Sequence, residues 1–213
     1  MSQYTKLIKR AQQGECILID GATGTEVERR GVPQLNNAWN GGGALSHPEI
    51  VKQIHKDYIN SGAEIIISNT FATTRHALRD ANQEHNFEAF NRRGVELAIQ
   101  AREELSNNSI LVAGGISYWT WTGNKPSQKE LTLSVTKQAQ VMKDAGADLI
   151  MLEMMIDIEQ MITTIEAAKS SGLPLWIGLT CEPNESNEMC LRDGDRLETV
   201  INVIKPYNPD VIS

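Results

Sequence analysis

The sequence predicts an α/β fold, a TIM-type (β/α)8 barrel that stops after about six βα units. Three observations lead there. Short continuous apolar runs alternate with longer amphipathic stretches, glycine followed by an acidic residue recurs before the runs, and no dinucleotide-binding pattern follows the first run. The runs are CILID (16–20), EIIIS (64–68), ILVAGG (110–115), DLIMLE (148–153), PLWIGLT (174–180) and DVIS (210–213). Their unbroken apolar character is that of parallel strands covered on both faces.

Between the runs lie helices with readable ends. In SHPEIVKQIHKDYINSG (46–62), Ser46 and Glu49 have capping-box spacing, Ile50, Ile54 and Tyr58 share one face, and Gly62 is placed to stop the helix. SGAEIIIS (61–68) and AGADLIML (145–152) echo one another, and SGLPLWIGL (171–179) repeats them with proline at the acidic position. Such repetition fits either a doubly wound sheet or a barrel. The turn DGATGTE (20–26) has two glycines three apart and no G-x-G-x-x-G, which favours the barrel. A full barrel takes about 250 residues. The expectation is therefore one domain, 1–213, incomplete at its C-terminal end, whose open edge requires either a truncated form or docking against another chain.

The formal charge of −7 argues against nucleic acid and anionic membranes as partners, because polyanions need clustered Lys and Arg. No stretch is long and apolar enough for a signal peptide or a bilayer span, so a cytoplasmic location is expected. Cys16, Cys181 and Cys190 are an odd number without CxxC spacing, which favours reduced thiols over a disulfide framework. Cys181 and Cys190 bracket a polar loop, but no further zinc ligand stands near them in sequence. His47, His55, His76 and His85 form no metal motif and read as structural or surface residues.

In β/α barrels, reactive groups gather at the C-terminal ends of the strands. That rule selects Asp20 and Gly21, Asn69, Thr70 and Phe71, Gly114 and Gly115, Glu153, and Thr180 and Cys181. Asp20 and Glu153 can together hold an ammonium group, while N–H groups of the glycine-rich turns can receive a carboxylate. Asp20 reads equally well as an Asp-Gly turn bonded to nearby backbone. Glu153 closes an apolar run and needs a partner if buried. Tyr118, Trp119 and Trp121 in SYWTWTGNKPS (117–127) suit either a cover over a cationic methyl donor or packing at the rim.

ILIDGATGTEVERRG (17–31) resembles the opening of homocysteine S-methyltransferases and of the homocysteine module of methionine synthase. HPEIVKQIHKDYINSGAEIIISNTFATT (47–74) resembles that family's next helix, strand and Asn-Thr-Phe turn. DAGADLIMLEMMIDIEQM (144–161) and CEPNESNEMCLRDGDRLETVI (181–201) are similar to later segments in the same order. The resemblance implies methyl transfer to the thiol of homocysteine, giving methionine. It assigns Asp20, Gly21, Asn69, Thr70, Phe71 and Glu153 to substrate binding, Glu153 holding the amino group. It also implies zinc, which is held in the family by three cysteines and stabilises the substrate thiolate, and a donor such as betaine, S-methylmethionine, S-adenosylmethionine or methylfolate.

Three departures qualify this. None of the three cysteines falls at a family zinc position, so neither a catalytic residue nor a metal ligand is assigned in this chain. Met154 stands where the family has threonine after the glutamate, and Gly115 stands where it has proline. The expected activity is that of the full-length enzyme, with a zinc-less or divergent homocysteine-binding module as the alternative. A homo-oligomer is compatible with either.

Overall fold

The computed structural model describes residues 1–105 and 107–213. In chain order the helices and strands are α1 (Gln3–Gln12), α2 (Thr23–Arg29), α3 (Gly43–Ser46), α4 (Pro48–Asn60), β1 (Ile65–Ile67), α5 (Arg75–Asp80), α6 (Phe87–Glu104), β2 (Leu111–Ile116), α7 (Gln128–Asp144), β3 (Leu149–Met155), α8 (Ile158–Lys169), β4 (Leu175–Leu179), β5 (Cys181–Pro183), β6 (Met189–Leu191), α9 (Leu197–Ile204) and β7 (Val211–Ile212). Strands β1, β2, β3, β4 and β7 form one all-parallel sheet in that order. The molecule is thus an α/β fold around a sequentially ordered parallel sheet.

The first predicted strand is shorter than expected. Only Ile19 makes a bridge, to Ile65, flanked by Glu64 N–H to the Leu18 carbonyl at 2.8 Å and Asp20 N–H to the Ile65 carbonyl at 2.9 Å. This run is paired along one side only, and Leu18 and Ile19 stay 50% and 45% exposed. At the opposite margin β7 carries the sixth predicted run. The loop after β4, expected to be irregular, instead folds back as the antiparallel β5–β6 ribbon.

Side chains alternate across the sheet as the pleat requires. Ile66, Val112, Ile150 and Ile177 pack outward beneath α6, α7 and α8, while Ile65, Leu111, Ala113, Leu149 and Trp176 point the other way. On that second face, Ile19, Ile65, Met151 and Trp176 line a single void of ≈ 10 Å³. In a flat sheet, the Ile19 segment and β4 would lie roughly 19 Å apart, four strand spacings. The sheet is therefore curled into a trough. One end of the trough is stopped by α1, whose Leu7 joins the inner cluster and whose Tyr4 hydroxyl accepts a 2.9 Å bond from Trp176 Nε1.

Two of the acidic residues that precede strands bond backbone of the neighbouring strand, whereas Glu64 pairs with Arg10 of α1. Asp148 accepts the Val112 N–H at 2.8 Å, and Asp210 accepts the Leu175 N–H at 3.0 Å. Asp148 thus bonds the second residue of β2, and Asp210 the first residue of β4. Gly62 does end α4, at φ +104°. The expected capping box does not form: Pro48 occupies the first turn of α4, so His47 becomes its N-cap and Ser46 bonds the Gly42 carbonyl. A capping box does form at Ser127 and Glu130, ahead of α7.

Gly94 brings α6 against the turn after β1, since a Cβ there would stand 2.6 Å from Thr70 Cγ2. Thr70 cannot easily yield, because its hydroxyl donates to the Gly115 carbonyl at 2.8 Å. Gly94→Ala is expected to destabilise the fold by about 1–3 kcal/mol, read as a lower urea midpoint at unchanged slope.

Candidate functional site

The trough opens at the C-terminal ends of the strands into a cleft of ≈ 200 Å³. Its walls come from the turn after the Ile19 segment (Gly21, Thr23, Gly24), the turn Trp39–Gly41 and the turn after β1 (Ser68, Asn69, Phe71), with Glu153 of β3 beneath. A hydrogen-bond chain ties these walls together. Asn69 Nδ2 donates to the Asn40 carbonyl at 3.0 Å, and Asn40 Nδ2 donates to the Gly24 carbonyl at 2.7 Å.

Glu153 reaches the cleft through two local features of the sheet. Gly115 faces it from β2, and any Cβ at that position would collide with Glu153 Oε2. Its neighbour Gly114 faces the opposite side and lets Met142 of α7 approach. The glycine pair thus serves both faces of the strand at once. After Glu153, Met154 adopts φ +60°, and the β3–β4 register shifts between Leu152 and Met155. A bulge with one left-handed residue re-aims the strand end, an arrangement that costs about 1–3 kcal/mol and is typical of functional sites.

Among the described residues no hydrogen bond reaches the Glu153 carboxylate, and burial, reinforced by the charge of Asp20, pushes its pKa from 4.5 up to about 8. Part of the residue still borders the cleft. Asp20 lies just behind the wall, 8% exposed. Its Oδ2 accepts the Ile67 N–H at 2.8 Å, while Oδ1 is buried without a donor. Burial raises Asp20 from 3.8 to about 7, against the opposing pull of the Ile67 N–H. Two carboxyl groups short of donors therefore adjoin one small cleft.

Of the six residues expected at the site, Gly21, Asn69, Phe71 and Glu153 border the cleft and Asp20 stands directly behind it. Thr70 is elsewhere: it is fully buried, and its hydroxyl joins the Ser68 hydroxyl and the Gly115 carbonyl. Trp39, Asn40 and Gly41 line the cleft without having been anticipated. Their only sequence signal was the Gly-Gly-Gly run 41–43, which allows close approach; a Cβ on Gly41 would lie 3.1 Å from the Ala72 carbonyl.

The aromatic residues divide. The Tyr118 hydroxyl is interior, accepting the N–H groups of Ile156 at 2.6 Å and Asp157 at 3.0 Å. Trp39, Phe71 and Trp121 form a row of edge-on contacts, with ring centroids 6.4 and 6.2 Å apart. Trp39 and Phe71 border the cleft, and Trp121 buttresses Phe71 from behind. Trp39 adopts φ +41°.

The donor set does not fit a zinc ion. Cys16 is exposed before the first run, and Cys181 and Cys190 take successive pairing positions on the β5–β6 ribbon, so their side chains leave opposite faces. Among the described residues no three of His, Cys, Asp and Glu converge. His55 is wholly buried, its pKa lowered by burial to about 4, and neither ring nitrogen has a partner.

Comparison with known proteins follows this geometry. The model of the homocysteine S-methyltransferase family matches residues 17–213. The chain belongs to the homocysteine S-methyltransferase family. Among curated family relatives, betaine–homocysteine S-methyltransferase 1 of Danio rerio is 26% identical over 180 residues, covering 84% of this chain and 44% of that protein. Homocysteine S-methyltransferase 1 of Arabidopsis thaliana is 27% identical, covering 87% of this chain and 65% of that protein. The chain spans less than two thirds of the length of either. In structure, it is similar to the homocysteine methyltransferase MmuM of Escherichia coli in its metallated form, with a TM-score of 0.79 and 25% identity, over 96% of this chain and 75% of MmuM.

Both carboxyl groups hold their protons to higher pH in the folded chain than in the unfolded one. The stability they contribute is thus present below about pH 4 and is lost as pH rises through about 7 to 8. Urea midpoints of the ligand-free protein are expected to fall between pH 5 and pH 8, and Glu153→Gln is expected to flatten that fall. A slope equal to that of the parent protein would contradict the placement of Glu153.

Proposed function

We propose that the cleft is the amino-acid end of a site in which a methyl group passes to the thiol of homocysteine, giving methionine. The observation that carries this reading is the pair of carboxyl groups at one cleft, neither of which has a cationic partner among the described residues. An ammonium group entering above Glu153 supplies the missing charge and donors, and Asp20 adds to the field that holds it. The unused N–H groups of the turn 21–24 are available to the carboxylate of the same amino acid. Such a ligand is oriented at both ends of its α-carbon, which leaves its side chain free to extend along the cleft.

The reaction itself is a displacement at carbon. A sulfur lone pair attacks the methyl carbon in line, the S–C bond forms, and the donor's bond to that carbon breaks with its electron pair leaving on nitrogen or sulfur. The thiol proton passes to solvent water, and the thiolate left behind is the better nucleophile. Trp39 and Phe71 favour an onium donor, since an aromatic wall attracts a methylated cation. Zinc is the family's expected means of holding the thiolate; the residues of this chain do not fit it, and no step is derived through it. The parallel trough is proposed to be the wall of a β/α barrel. A cytoplasmic setting accords with three reduced cysteines, and no helix among the described residues is long and apolar enough to cross a membrane.

Calorimetry with homocysteine tests the assignment. Glu153→Ala is expected to weaken binding by about 2–5 kcal/mol, because a desolvated ammonium loses its charged partner. Unchanged affinity in the folded variant would remove the carboxyl pair from the proposal.

A further inference from the structure

We infer that His76 and Asp80, on the short helix α5, are positioning residues that set the spacing of the aromatic wall and so its fit to an onium methyl donor. The inference rests on the donor reading proposed above. Its basis is that α5 bonds the segments that carry both outer members of the aromatic row, at Asn37 two residues before Trp39 and at Trp119 and Thr122 around Trp121, while the third, Phe71, sits on the turn that leads into it.

On one side, His76 Nε2 lies 3.1 Å from the Trp119 carbonyl. A carbonyl only accepts, so Nε2 carries the proton and donates. Asp80 Oδ2 accepts from the Thr122 hydroxyl at 2.7 Å. These two bonds grip the segment on either side of Trp121, the ring that packs edge-on against Phe71. On the other side, Asn37 Nδ2 donates to the backbone carbonyl of Asp80 at 3.0 Å. Asn37 belongs to the turn closed by the 2.7 Å bond from Leu35 N–H to the Trp39 carbonyl. Trp39 and Trp121 come from distant parts of the chain, and both are referenced to the last turn of one six-residue helix.

This arrangement suits positioning better than bulk packing. His76 is 3% exposed and among the described residues its Nδ1 has no partner, while Nε2 meets the Trp119 carbonyl and, at 3.3 Å, the hydroxyl of its neighbour Thr74, so the histidine serves directed bonds where an apolar residue would bury at lower cost. Neither His76 nor Asp80 borders the cleft or touches the amino-acid end. Their loss is therefore expected to loosen the wall while leaving Glu153 and Asp20 in place.

The test uses the 213-residue chain, with tetramethylammonium chloride as the cation probe against sodium chloride of equal strength, followed by tryptophan fluorescence. Homocysteine is titrated separately by calorimetry. His76→Ala and Asp80→Ala are expected to weaken the tetramethylammonium response about tenfold, the order of a desolvated cation–π contact, with homocysteine affinity unchanged. His76→Gln, which restores an N–H at the Nε2 position, and Asp80→Asn, which keeps an acceptor for Thr122, are expected to recover the response. Thr122→Val, on the exposed segment, covers the case in which the alanine variants fail to fold, and is expected to weaken the cation alone.

Unchanged cation binding in the folded variants would overturn the inference. So would equal loss of both ligands, which marks a general structural role. A parent protein that binds homocysteine but not tetramethylammonium would also overturn it, leaving the amino-acid site intact. Binding of the cation without homocysteine would instead sink the acceptor proposal, and the variants would still decide the role of α5.

Discussion

The burial of two carboxyl groups beside one cleft governs much of the surrounding structure. A carboxylate removed from water without a partner is costly enough that such groups normally shift their pKa or acquire a cation. Glu153 accepts no hydrogen bond among the described residues, and Asp20 leaves one oxygen without a donor. Around them the chain makes unusual concessions. A strand residue is reduced to glycine so that Glu153 fits, methionine accepts a left-handed conformation, and the β3–β4 register slips. Each lowers local stability, and together they aim one carboxylate into the cleft.

These concessions are affordable because the sheet beneath is over-determined. Its outward side chains pack under α6, α7 and α8, and its inward ones meet across the trough. The N-terminal strand ends are secured by carboxylates such as Asp148 and Asp210, and the C-terminal end of β1 by Asp20 bonded to the Ile67 N–H. Asp20 therefore has two tasks: one oxygen closes the ladder between the first segment and β1, and the other adds negative potential behind the cleft. Of the two readings of Asp20 open at the level of sequence, the bond to nearby backbone uses only one oxygen, which leaves the other for the ligand role proposed above.

What the sequence disclosed was governed by distance along the chain. Strands in the interior of the sheet are continuous apolar runs and were legible, as was the stop at Gly62. The first run has the same composition but pairs on one side only, so composition overstated its strand. At the start of α4, Pro48 outweighed the spacing of Ser46 and Glu49. The cleft residues at strand ends followed from the rule for parallel α/β folds, whereas Trp39, Asn40 and Gly41 enter the cleft through contacts with Gly24, Asn69 and Ala72 that no local pattern encodes. Thr70 sits within the same three-residue turn as two cleft residues, yet its hydroxyl faces inward. Which way a turn residue points depends on the Gly115 carbonyl, 45 positions away.

The two ends of the cleft are built by different means, and that difference decides which of them can vary. The carboxylate end is set by backbone: the β1–β2–β3 ladder fixes Glu153, and the Ile67 N–H fixes Asp20. Changing its geometry requires moving the sheet. The aromatic wall hangs from loops, through side-chain bonds from Asn37, His76 and Thr122, with ring contacts more than 6 Å between centroids. Substitutions there can alter its spacing without disturbing the ladder, because loop segments reposition more readily than packed strands. A cleft divided in this way can hold its carboxylate end fixed while its aromatic end varies.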